Sequence, residues 1–150
     1  MLYTTNNTEE TEIIGQSLAK KLDTLGVSRA FIALRGEMGV GKTAFTRGFA
    51  SYFDIKGVKS PTYTVVNEYC GKTKIFHFDM YRIDGEDDLY SIGYDEYIEK
   101  DGFSIVEWSE NISEFVPKDA IYVTIRRCPD DTNNREIEIT SDGKYENISF

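Results

Sequence analysis

The chain carries only two cysteines in 150 residues, Cys70 and Cys128. That is too few, too widely separated, for a disulfide scaffold or a zinc ribbon, so both are expected as buried free thiols without chemistry. Basic residues are also in deficit. With 17 Lys and Arg against 26 Asp and Glu the formal charge is -9, which repels a phosphate backbone and argues against direct nucleic-acid binding as the main activity, leaving Arg126-Arg127 as a local basic patch. The same charge suits a solvated surface or a partner with a basic face. No apolar run approaches the ~20 residues that cross a bilayer, and Met1 to Glu10 has no basic segment followed by an apolar one, as a secretory leader would. Linkers, repeats and low-complexity segments are missing too. The expectation is a soluble cytoplasmic protein with no membrane partner, built as one α/β domain over residues 1–150.

What is present suffices for a core: 40% of residues are hydrophobic, with ten Tyr and nine Phe. Asn7 or Thr8 is a candidate helix cap, and Ile14, Leu18, Leu22 and Leu25 recur at helical spacing before Gly26. Ala30 to Leu34 is a continuous apolar run, the pattern of a central strand covered on both faces. Phe45, Phe49 and Phe53 share one helical face and read as core. Tyr63 to Tyr69 and Lys74 to Phe78 are β-rich and joined through Gly71-Lys72, as in a hairpin. Glu86 to Tyr90 and Tyr94 to Lys100 are acidic, aromatic and weakly helical. Phe103 to Trp108 is a second core-type strand, and Ala120 to Arg126 with Arg135 to Thr140 make a terminal antiparallel pair. Together these predict a mixed parallel and antiparallel sheet flanked by helices.

Gly36-Glu-Met-Gly-Val-Gly-Lys-Thr43 has the pattern Gly, four residues, Gly-Lys-Thr, and lies between a predicted strand and a predicted helix. Gly36, Gly39 and Gly41 let backbone N–H groups turn inward around phosphates, and the helix adds its positive amino-terminal end. Lys42 is placed to reach the β and γ phosphates and the Thr43 hydroxyl to ligate Mg²⁺. The nucleotide cradle thus runs through Gly36, Glu37, Met38, Gly39, Val40, Gly41, Lys42, Thr43 and Ala44. A chance glycine-rich turn is the alternative, and it arises in roughly 1% of chains this long. The guanine-reading tetrapeptide, Asn-Lys or Thr-Lys followed by one residue and Asp, does not occur, which favours ATP and ADP.

Hydrolysis needs a further acid near Mg²⁺ and a group that orients water. Asp79 and Glu107 each end a predicted strand, where ligands bind in open α/β sheets; the bland alternative is a turn residue or a cap. Trp108 could stack on the base or belong to the core. Ser60-Pro-Thr-Tyr63 is either a switch-like hydroxyl loop or a Pro-containing turn opening a strand. His77, the only histidine, reads as a packed, hydrogen-bonded strand residue rather than a general base. Arg47, Arg82 and Arg135 suit cation stacking or ion pairs equally well.

Taken together, Gly36 to Thr43, Ser60-Pro-Thr-Tyr63, His77-Phe-Asp-Met-Tyr-Arg82 and Glu107-Trp108 resemble the TsaE family, the small bacterial P-loop ATPase required to make threonylcarbamoyladenosine in tRNA. The match in order and spacing runs from about Thr8 to Thr140. The resemblance implies a P-loop NTPase-like fold and a slow ATPase using ATP and Mg²⁺. It implies work with the carbamoyl-transferring enzyme of the pathway and that enzyme's paralogous subunit, resetting the complex between cycles and touching tRNA only indirectly. By the same resemblance Thr62 looks like the switch threonine, Asp79 like the acid near Mg²⁺, Glu107 like the metal-associated acid and Trp108 like the residue beside the base. Thr11 and Arg135 resemble positions lining the nucleotide. Ser109 stands where the family often has Pro, and Asn134 replaces the Gly that commonly precedes Arg135. Two other readings stay open: a small-molecule kinase, against which the lack of an arginine-rich lid counts, and a nucleotide-gated binding module without useful hydrolysis.

Overall fold

Seven strands alternate with helices along the chain: β1 (Leu2–Thr5), α1 (Thr8–Thr24), β2 (Arg29–Arg35), α2 (Lys42–Tyr52), β3 (Val66–Cys70), β4 (Lys74–Asp79), α3 (Glu86–Ser91), α4 (Tyr94–Glu99), β5 (Gly102–Glu107), β6 (Ile121–Arg127) and β7 (Arg135–Ser141). They are seen in a computed structural model that describes every residue except Tyr63. The expected strand start and the motif end at Tyr63 lie outside the described residues. All strands join one sheet in the order β1-β7-β6-β2-β5-β4-β3. β2 is parallel to β5 and β6, and β4 to β5, whereas β3, β7 and β1 run antiparallel to their neighbours. The fold is therefore the α/β class with a mixed sheet.

Alternation along the strands feeds two cores. Ile32, Leu34, Ile75, Phe103 and Ile105 face α1 and α2, where Leu18, Leu22, Phe45 and Phe49 cover them. Phe31, Ala33, Phe76, Phe78 and Val106 face the opposite layer, with Leu89 of α3, Tyr94 of α4 and Ile112 of the 3₁₀ segment Ser109–Phe115. β4 and β5 therefore turn His77, Asp79 and Glu107 towards α1 and α2.

Asn7 is the cap of α1, its Oδ1 accepting the Glu10 N–H at 2.8 Å. α1 and α2 meet backbone to backbone, because a Cβ on Gly48 would lie 1.9 Å from the Glu12 carbonyl oxygen and one on Gly15 2.2 Å from that of Phe45. Beside it, the Thr11 side chain lies 3.8 Å from where a Cβ on Gly41 would stand, so the first turn of α1 borders the start of α2. No helix among the described residues is long and apolar enough to cross a membrane.

Several expectations need correction. Leu25 is 46% exposed, because α1 ends at Thr24 and its periodicity ends with it. The two thiols are not buried: Cys70 is exposed and Cys128 half-buried, since one closes β3 at the hairpin turn and the other follows the end of β6. β5 stops at Glu107, and Trp108 lies beyond it in a left-handed conformation, φ 58°. β1 was not foreseen; it adds to the sheet edge through β7. The carboxyl-terminal segment also packs, burying Tyr145 and offering the Phe150 carbonyl to the Tyr3 hydroxyl.

Candidate functional site

β2 runs directly into the glycine-rich loop and α2 begins at Lys42, so the loop lies at the carboxyl end of the central strand with β4 and β5 ending nearby. Gly36, Gly39 and Gly41 have φ of 152°, 76° and 119°, conformations that any side chain would strain. Two cavities flank the loop. The larger, about 400 Å³, is lined by Met38, Gly39, Gly41, Lys42, Thr43, Ser60, Thr62, Asp79, Tyr81, Arg82, Glu107 and Trp108. The smaller, about 160 Å³, is lined by Asn7, Thr8, Thr11, Gly39, Val40, Gly41, Ala44, Asn133 and Arg135. Gly39 and Gly41 border both.

Lys42 is nearly buried and held from three sides. Its Nζ donates to the Gly36 carbonyl at 2.8 Å, stands 3.8 Å from Glu107 Oε1 and lies 4.9 Å from the centre of the Trp108 ring. Glu107, 5% exposed, accepts a hydrogen bond on Oε2 from His77 Nε2 at 2.9 Å. Asp79 is the register neighbour of Glu107 on the adjacent parallel strand. Its Oδ1 accepts the Tyr81 N–H at 2.9 Å, so it holds a turn and lines the cavity at once. Thr62 and Ser60 bring their hydroxyls within 2.7 Å of each other. The left-handed backbone of Trp108 sets its ring beside Tyr81, 5.0 Å between centroids.

The expected residues thus divide into two groups. Lys42, Thr43, Thr62, Asp79, Glu107 and Trp108 share the larger cavity, while Thr11, Val40, Ala44 and Arg135 line the smaller. Trp108 stands apart from Thr11 and Arg135. Arg135 Nε donates to the Val40 carbonyl at 2.9 Å, and Thr11 Oγ1 meets Thr5 Oγ1 at 3.0 Å. Gly36 and Glu37 line neither cavity: the Gly36 carbonyl receives Lys42, and the Glu37 carboxylate pairs with Arg127. Asn133 was not anticipated; Tyr81 reads in the sequence only within the His77 to Arg82 motif, and Arg127 only as part of a basic patch. Nothing local ties Arg127 to the loop; only the position of β6 beside β2 brings its end there.

The family model described as threonylcarbamoyl adenosine biosynthesis protein TsaE matches residues 5–137. The chain belongs to the TsaE family. It is 39% identical over 150 residues to the tRNA threonylcarbamoyladenosine biosynthesis protein TsaE of Bacillus subtilis, spanning 96% of this chain and 88% of that one. Against the protein of the same name from Haemophilus influenzae the identity is 38% over 134 residues, spanning 87% and 84%. The crystal structure of Bacillus subtilis YdiB superposes with a TM-score of 0.77 at 33% identity, over 95% of this chain and 86% of that one. The TsaE match takes in every residue of both cavities.

Which groups this TsaE family member could hold follows from its donors. Among the described residues no set of three His, Cys, Asp or Glu could hold a metal ion alone. Thr43, Asp79 and Glu107 offer oxygen only, in one cavity with a lysine. That set suits Mg²⁺, which takes one or two carboxylates and completes its shell with substrate phosphates and water. It does not suit a resident soft metal.

Proposed function

We propose that the chain binds ATP with Mg²⁺ at the loop Gly36–Thr43 and hydrolyses it slowly, as the ATPase component of tRNA threonylcarbamoyladenosine biosynthesis. The observation that carries this reading is the meeting of Lys42, Thr43, Thr62, Asp79 and Glu107 in one cavity beside the loop. The smaller cavity takes the base and ribose against Thr11, Ala44 and Arg135, and the phosphates follow the loop past Gly39 and Gly41 into the larger one. Trp108 then belongs to the terminal phosphate rather than to the base, a change from the place its resemblance implied.

In this reading Lys42 exchanges the Gly36 carbonyl and Glu107 for phosphate oxygens, a stronger pairing of opposite charges. Thr43, Asp79 and Glu107 hold Mg²⁺ directly or through water. When bound, the metal supplies charge neutralisation of the transferring phosphoryl group. The Thr62 hydroxyl approaches the γ-phosphate, giving the 60–62 segment a contact present with ATP and lost with ADP. Such a difference is what nucleotide-dependent association requires. The partners are the carbamoyl-transferring enzyme of the pathway and its paralogous subunit; tRNA is reached only through them, and the location is cytoplasmic.

Phosphate release, measured with and without the purified transferase complex, tests the reading. Stimulation by about tenfold or more, the effect of lowering the barrier by about 1.4 kcal/mol, is expected. Phosphate transferred to an added metabolite would instead make the chain a kinase, and association without any phosphate release would make it a gated binding module.

A further inference from the structure

We propose that His77 is a positioning residue that aims the Glu107 carboxylate at the metal and keeps it there after Lys42 has moved to the phosphates. This rests on the reading of Glu107 as the metal-associated acid.

His77 lies in the middle of β4 and is fully buried, with Asn67 and Ile105 as its register neighbours. An aliphatic side chain would serve the core better there, since a buried imidazole needs partners for its ring nitrogens. Among the described residues only one nitrogen has a partner: Nε2 donates to Glu107 Oε2 at 2.9 Å, and Nδ1 is buried with no hydrogen bond to any of them. Within that set the ring is oriented by the carboxylate contact and by packing, and that contact is what its polar chemistry accomplishes.

Glu107 is bound unequally at its two oxygens. Oε2 is fixed from within the sheet by His77, and Oε1 faces Lys42 Nζ at 3.8 Å, on the cavity side. The ammonium is shared with the Gly36 carbonyl, and phosphate competes for it. His77 has no such competing ligand, because it is screened from the cavity behind Glu107. Once Lys42 is drawn away, the histidine is the donor that holds Oε2 and leaves Oε1 turned outward. Partners of ligating groups act in this way, and losing one typically costs about 10- to 100-fold in metal affinity.

Because the chain has a single histidine, ¹⁵N NMR of the imidazole reads this contact without assignment. The expected spectrum has hydrogen on Nε2, shifts in Glu107→Gln, and keeps that hydrogen when MgADP is added. An Nε2 without hydrogen, or no response to Glu107→Gln, would overturn the proposal. Mn²⁺ titration of the ADP complex by electron spin resonance gives a second readout. His77→Phe should weaken Mn²⁺ by about 10- to 100-fold while ADP binding without metal stays within about twofold. His77→Gln, whose amide nitrogen reaches the place of Nε2, should recover most of the loss, and His77→Asn, which reaches only the place of Nδ1, should not. In the Glu107→Gln background His77→Phe should add nothing. Equal losses in all three His77 variants, following their melting temperatures, would make the role purely structural. If Glu107→Gln itself binds Mn²⁺ like the wild type, the reading of Glu107 fails; if it weakens Mn²⁺ and His77→Phe does not, only the proposal for His77 fails.

Discussion

The two cavities beside the glycine-rich loop are built from different materials. The larger gathers two carboxylates, one lysine, the guanidinium of Arg82 and the hydroxyls of Thr43, Ser60 and Thr62 from the loop, α2, the 60–62 segment and the ends of β4 and β5 with the residues just beyond them. The smaller contains no carboxylate among the described residues and one guanidinium, drawn from the start of α1, the loop and the start of β7. Backbone outliers also concentrate on the first side. Trp108 at φ 58° follows Glu107, and Val65 at φ 67° accepts the Asp79 N–H on its carbonyl at 2.8 Å. Strain of that kind persists where surrounding structure over-determines it, often at functional sites. On the proposed reading, the difference gives holding a nucleotide and turning it over separate supports, joined through Gly39 and Gly41.

Lys42 lines only the larger cavity but on this reading serves both holding and turnover, and its removal should have the largest effect. Lys42→Ala deletes a charged contact to phosphate, worth about 1.5–3 kcal/mol, and leaves Glu107 buried without its cation. Calorimetric titration with MgATP should find affinity lower by about 10- to 100-fold, and wild-type affinity would remove the loop from the site. Arg135→Ala tests the smaller cavity alone. It frees the Val40 carbonyl and should weaken ADP by about tenfold at most, a loss of one hydrogen bond's worth of order, with turnover at saturating ATP unchanged. A fall in turnover at saturation would erase the distinction between the cavities.

Trp108 is the single tryptophan, so its emission reports on the larger cavity. Withdrawal of the Lys42 ammonium from 4.9 Å over the ring should change that emission when nucleotide binds, more with ATP than with ADP. No change at saturation would return Trp108 to a packing role. The smallest effect concerns Cys128, beside the β6–β7 turn. Burial, then Glu136 and Asp131, push its thiol up, against the opposing effect of Arg135. A raised value means less thiolate at a given pH. Its alkylation, followed by mass spectrometry, should therefore need higher pH than in the urea-unfolded chain, and an identical profile would deny that the environment of Cys128 matters.

Much of this was legible before any coordinates. The loop is contiguous, so Gly36 to Thr43 could be read directly, and local periodicity revealed α1, β2 and α2. Asp79 and Glu107 followed from the tendency of strand ends to meet ligands. What escaped depends on strand order. The pairing of His77 with Glu107 needs β4 beside β5, and that of Arg127 with Glu37 needs β6 beside β2; nothing local states either neighbour. β1 has four residues, too few for alternation to stand out, and is stabilised by its pairing with β7. The division of Trp108 from Thr11 and Arg135 likewise needs three dimensions, since the resemblance supplied roles without placing them relative to one another.

The separation of holding from turnover is tested most directly in Glu107→Gln, by measuring ATP affinity and partner-stimulated phosphate release on the same preparation. The substitution keeps shape and removes charge at the acid that Lys42 and His77 position. ATP affinity measured without metal should stay within a few-fold of wild type, while release falls by about 10²-fold, the scale on which a small displacement of reacting groups slows a reaction. Release at the wild-type rate, or an affinity that falls in step with it, would contradict the division of labour between the two cavities.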